Sequence, residues 1–115
     1  MFPKPKQESG IAKNIRVIEW LKADILASLS ALFKSMVKGS EEKLLDALAS
    51  MVITTYVLGR RLGINFSRLD LKIESKLRQG IDEEHEVEKW YGDLTELLNY
   101  RISNYGTKSG KKRIP

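Results

Sequence analysis

Between Asn14 and Lys38 apolar residues fall at Ile15, Ile18, Leu21, Ile25, Leu29, Leu32 and Met36. This three-four spacing lasts for about six helical turns and predicts one long amphipathic helix. Trp20, Leu26 and Phe33 widen the stripe beyond a narrow seam. Asn14 is placed to cap the start and Gly39 to stop the helix. A stripe of this length must be buried against another element, which restricts the chain to a packed helical architecture.

The next segment narrows the choice further. Ser40 reads as an N-cap, with Glu41 and Glu42 in the first turn, where carboxylates meet the positive end of the helix dipole. Leu44, Leu45, Leu48, Met51, Val52, Tyr56, Leu58 and Leu62 follow, and Gly63 ends the run. Between Leu44 and Leu58 the only charge is Asp46. A helix apolar nearly all round is buried on most faces. A small bundle has difficulty burying it from its own chain, so self-association is expected.

A third helix is predicted from Ser67, with Asp70 in a capping-box-like spacing, to Gly80, exposing Arg68, Lys72, Lys76 and Arg78. A fourth is predicted from Asp82 to about Asn104, with Val87, Tyr91, Leu94, Leu97, Leu98 and Ile102 as its stripe. Gly92 marks a place for a bend or close packing. The expected organisation is a flexible basic lead-in over 1–13, a helical domain over 14–105 and a disordered basic tail over 106–115. The class is all-α, a bundle completed by pairing with a second copy.

The chain has 115 residues, which suits one domain, and no cysteine, which removes disulfides and thiolate chemistry. The first ten residues lack an apolar core, so no signal peptide is expected, and no run approaches the roughly 18 apolar residues of a spanning helix. The expected location is the cytoplasm, away from the membrane. The net charge of +5 lies in the ends. Lys4, Lys6, Glu8 and Lys13 give residues 1–13 a net +2, and Lys108, Lys111, Lys112 and Arg113 give 108–115 a net +4. Residues 14–107, with 13 basic and 14 acidic residues, sum to −1. No groove-reading motif supports nucleic acid as a partner.

Catalytic chemistry has few candidates. His85 is the single histidine, and its i, i+3 spacing to Glu88 lacks the second histidine motif that a helical carboxylate–imidazole metal site uses. No phosphate-binding glycine loop is present. Asp46 is the informative residue: a buried carboxylate needs an arginine, backbone donors or a metal ion. Carboxylates on facing helices are the oxygen donors that Mg²⁺ prefers.

Glu42-Lys-Leu-Leu-Asp46-Ala-Leu and Gly59-Arg-Arg-Leu-Gly-Ile-Asn-Phe66 look like the third-helix region of MazG-type nucleotide pyrophosphohydrolases. The order of Ile18-Glu-Trp-Leu-Lys-Ala-Asp24, Asp46-Ala-Leu-Ala, Arg61-Leu-Gly-Ile and Glu88-Lys-Trp-Tyr-Gly-Asp-Leu94 resembles the short bacterial MazG-like family, over about residues 14–101. The resemblance implies an all-α, four-helix MazG-type fold that dimerises, sometimes into tetramers. It also implies Mg²⁺-dependent cleavage of nucleoside triphosphates to monophosphate and pyrophosphate.

The broader family carries Glu-Glu-x-x-Glu on one helix and Glu-x-x-Asp on the next. Here Asp46 matches the final aspartate, Lys43 stands at its partner position and Glu42 is displaced by one residue. Asp24 matches one carboxylate of the first motif, while Ala23 and Ala27 replace the others. Several expected ligands are therefore missing. On this reading Asp46, Asp24 and Glu42, with Glu19 one turn before Ala23, hold Mg²⁺. Lys76 and Arg78 neutralise phosphate and Trp20 stacks on a base. The competing reading is a non-catalytic oligomerisation module. In it Trp20 is core, Lys76 and Arg78 form a solvated face, and Asp46 pairs with Arg60 or Arg61 of a neighbouring helix or subunit.

Overall fold

The computed structural model describes residues 9–110, with side chains described through residue 104. Among the described residues the elements are all helices: α1 (Gly10–Lys38), α2 (Glu41–Arg61), α3 (Phe66–Asp82), α4 (Glu86–Tyr91) and α5 (Asp93–Gly110). The all-helical class stands, with five helices in place of the expected four. None is long and apolar enough to cross a membrane. The chain divides within α3, between Leu69 and Asp70, into two compact units. Much of the expected lead-in and tail, residues 1–8 and 111–115, lies outside the described residues.

In the first unit α1 starts at Gly10, earlier than Asn14, because Ser9 Oγ accepts from the Ala12 N–H at 3.0 Å and caps the helix. Asn14, freed from capping, ties α1 to the far end of α2. Its amide donates to the Arg61 carbonyl at 3.0 Å, and its Oδ1 accepts from Arg61 Nη1 at 3.2 Å. Gly39, at φ 74°, closes α1 by donating its N–H to the Ser35 carbonyl at 2.8 Å. Ser40 then caps α2, its Oγ accepting from the Lys43 N–H at 3.3 Å. So short a connection makes α1 and α2 antiparallel neighbours, and α1 packs along α2.

Small residues hold this hairpin together. Ser35, Ala47 and Thr54 are buried, and Ser35 Oγ donates to the Ala31 carbonyl at 2.8 Å, which satisfies its hydroxyl. At the far end of α2 the Tyr56 and Phe66 rings meet edge to face at 5.9 Å, and the Arg60 guanidinium lies 4.9 Å from the Phe66 centroid.

The start of α3 differs from expectation. Asn65, and not Ser67, is the cap: its Oδ1 accepts from the Arg68 N–H at 2.8 Å and from Ser67 Oγ at 3.1 Å. The helix then runs through Gly80 to Asp82. A side-chain atom at Gly80 would lie 2.7 Å from Leu94 Cδ1, so glycine lets Leu94 of α5 rest on α3.

The expected fourth helix is interrupted twice. Glu84 turns to φ 53°, and His85 caps α4 with Nδ1 accepting from the Val87 N–H at 3.1 Å. Gly92, at φ 70°, then separates α4 from α5. The second unit buries Leu77 and Leu98, and an Arg101–Asp70 ion pair at 2.9 Å joins α5 to α3.

Candidate functional site

Asp46 and three lysines of the first unit gather where the hairpin turns. Gly39 and Ser40 fold the chain back, so the last turns of α1 lie beside the first turns of α2. An open groove of about 370 Å³ results, lined by Ala31, Lys34, Ser35 and Lys38 from α1 and Lys43 and Asp46 from α2. Asp46 is exposed. The carboxylate expected to be buried in an apolar helix instead faces this groove, because α2 meets α1 through Ala47 and Thr54. Within this chain neither basic residue named for it is its partner: Arg61 binds Asn14 and Arg60 stacks on Phe66.

In the sequence Lys34 and Lys38 carry no signal of their own, and Lys43 is marked only as standing where the resemblance expects a carboxylate. Lys34 and Lys38 are four residues apart and share one face of α1. What joins them to Lys43 is the fold-back, which a reading of each helix alone does not contain. No ion pair among the described residues neutralises any of the three lysines.

The other expected metal ligands are placed separately. Asp24 is exposed on α1, seven residues before Ala31 and so about 10 Å along the axis from the groove wall. Glu19 bonds Lys22 at 3.0 Å on the same helix. Glu42 is exposed in the first turn of α2 and is not part of the groove lining. Among the described residues, no three histidines, cysteines or carboxylates stand close enough together to hold a metal. Mg²⁺ favours several oxygen ligands. The groove offers one carboxylate among three ammonium groups, which repel a divalent cation, so its donor set does not fit a tightly held Mg²⁺.

Of the nucleotide contacts expected, Trp20 lies on α1 in the first unit and is 41% exposed. Lys76 and Arg78 belong to the second unit. There Lys76 lines a shallow groove with Glu83 and His85, and Arg78 Nη2 pairs with Glu74 at 2.9 Å. The His85–Glu88 pair is occupied with capping: His85 caps α4, and the Glu88 carboxylate accepts from the Thr95 N–H at 3.0 Å.

Compared with known families, residues 11–94 match the model of the MazG-like family. The chain belongs to the MazG-like family. The match begins in the first turn of α1 and ends at Leu94 in α5, so it takes in helices of both units. No curated protein and no solved structure matches the chain. Against the resemblance that named this family, the MazG-like chain presents its matching aspartate, Asp46, to solvent with Lys43 one turn before it.

Proposed function

We propose that this MazG-like protein self-associates and binds a nucleoside triphosphate in the α1–α2 groove. The observation that supports the binding site is the exposed groove itself, which Lys34, Lys38 and Lys43 line together with Asp46. Ammonium groups on flexible stems are effective point charges for phosphate oxygens. The same proposal puts the protein in the cytoplasm, where nucleoside triphosphates are held.

Self-association is supported by the outer faces of the hairpin. Ile15, Leu26, Phe33 and Val37 are exposed and lie within about 40° of one another around α1. Leu45, Leu48 and Val52 are exposed along one side of α2. The exposed Glu19–Lys22 pair lies between Ile15 and Leu26 on this face of α1, so its apolar cluster is Leu26, Phe33 and Val37, and exposed apolar clusters mark interaction sites. The proposal commits to a second copy as the covering partner.

Mg²⁺-dependent pyrophosphohydrolysis is the second reading. Its support is the shared exposure of Asp46, Asp24, Glu42 and Glu19 on the hairpin, where a second copy would add carboxylates. Isothermal titration with a non-hydrolysable nucleoside triphosphate tests the binding. Saturable binding is expected, and its absence with and without Mg²⁺ overturns the proposal. Pyrophosphate release from a hydrolysable nucleotide, dependent on Mg²⁺ and lost in Asp46→Ala, would establish the second reading in its place.

A further inference from the structure

Metal-assisted phosphate binding needs carboxylates facing one another, and the groove beside the α1–α2 turn has the opposite charge. Its lining carries Lys34, Lys38 and Lys43 against the single carboxylate of Asp46, a formal excess of two positive charges. Glu41 and Glu42 share the first turn of α2, but neither lines the groove. Lys43 sits three residues before Asp46, so the helix presents an ammonium group one turn from the carboxylate. Lys34 and Lys38 have Cβ atoms roughly 5–6 Å apart on the facing helix, close enough to grip one extended anion together. Like charges at this spacing destabilise a bare helix slightly. A ligand that neutralises them therefore favours the folded state as well as the complex.

We propose that the groove formed by Lys34, Lys38, Lys43 and Asp46 binds a polyphosphate chain directly, with the lysines in the role that a divalent cation would otherwise fill. The inference rests on the nucleotide-binding reading above and specifies how the phosphates are held. It has a distinctive sign. Mg²⁺ occupies the same phosphate oxygens as the lysines and lowers the charge of the ligand, so added Mg²⁺ weakens binding. Asp46 opposes the anion through charge repulsion, so its neutralisation strengthens binding. Salt weakens it as well, because the groove is open to solvent and its charges are screened.

The test is titration of the full chain with inorganic tripolyphosphate, and separately with a non-hydrolysable nucleoside triphosphate, each in EDTA and in excess Mg²⁺. Both probes are expected to bind in EDTA and more weakly in Mg²⁺. Lys34→Ala, Lys38→Ala and Lys43→Ala are each expected to weaken binding by about tenfold, the scale of one charge-assisted hydrogen bond. Asp46→Asn is expected to tighten it. All four side chains are exposed, so helix content by circular dichroism should stay unchanged in every variant. Nucleotide binding that appears only with Mg²⁺ and is lost in Asp46→Asn would overturn the lysine mechanism and leave the nucleotide-binding reading standing. Binding in EDTA that survives all three lysine substitutions would overturn the location. No binding of either probe in any condition would overturn both readings.

Discussion

The carboxylate of Glu88 in α4 accepts hydrogen bonds from both the backbone N–H and the hydroxyl of Thr95 in α5. Thr95 is the third residue of α5, where the backbone N–H has no partner within its own helix. Glu88 supplies that partner from across the break at Gly92. The short α4 is thereby joined to α5 through one side chain, and a spacing suggestive of a metal site is explained by capping.

The Thr95 hydroxyl, followed by the Thr95 N–H, holds the Glu88 pKa below the ordinary glutamate value. The sign follows from linkage: a carboxylate with a lowered folded-state pKa adds stability above its unfolded pKa and loses it as pH falls through the folded one. Glu88→Gln is therefore expected to lower the urea midpoint near neutral pH. The gap to the parent should close through the acidic range between those two pKa values. Equal midpoints at neutral pH would show that the cap contributes nothing.

The Asp70–Arg101 pair should matter more than the Glu19–Lys22 and Glu74–Arg78 pairs. Its side chains are 21% and 18% exposed, whereas those of Lys22 and Glu19 are 59% and 60% exposed. Surface pairs of the latter kind contribute little. Arg101→Ala is expected to destabilise the protein by about 2 kcal/mol, because it removes a charge-assisted hydrogen bond from the largely buried Asp70 carboxylate. The double variant Asp70→Ala with Arg101→Ala should lose less than the two single losses combined. Denaturant unfolding measures all three.

At Gly92 the requirement is conformational. The residue has φ 70°, and a side-chain atom there would meet nothing within 4 Å. Gly92→Ala is thus expected to cost about 1 kcal/mol through backbone strain alone. Gly92→Asn, which tolerates the left-handed region better, should cost less. Thermal unfolding of the two variants tests the ranking.

The proposed interface predicts a change in assembly without a change in fold. Phe33 is 56% exposed on the outer stripe of α1. Phe33→Glu is expected to raise the self-association constant Kd by about thirtyfold or more, the scale of a hot-spot loss of about 2 kcal/mol. Sedimentation equilibrium reads that shift, and circular dichroism should show the helix content retained. A parent chain that sediments as a monomer at micromolar concentration would remove the self-association proposal.

Helix identity was legible because it is written in local periodicity. The stripe from Ile15 to Met36 and the run from Leu44 to Leu62 became α1 and α2, and Gly39 and Ser40 mark the turn between them. The caps were less legible, since several short polar side chains compete within a few residues. Ser9 took the role expected of Asn14, and Asn65 that of Ser67. Gly92 was visible as a weak point, but its left-handed backbone, which ends α4, was not.

The candidate site divides along the same line. The sequence alone determined that Asp46 is the lone charge between Leu44 and Leu58, that Lys43 stands where the resemblance expects a carboxylate, and that the chain is helical throughout its folded part. Only the tertiary structure decided that Asp46 is exposed and that Lys34 and Lys38 share its groove. The reason is geometric. A helix period orders residues around one axis, but which faces meet depends on how the second helix is laid against the first. Here the small residues Ser35, Ala47 and Thr54 made that choice, and turning them inward left the charges beside them in solvent.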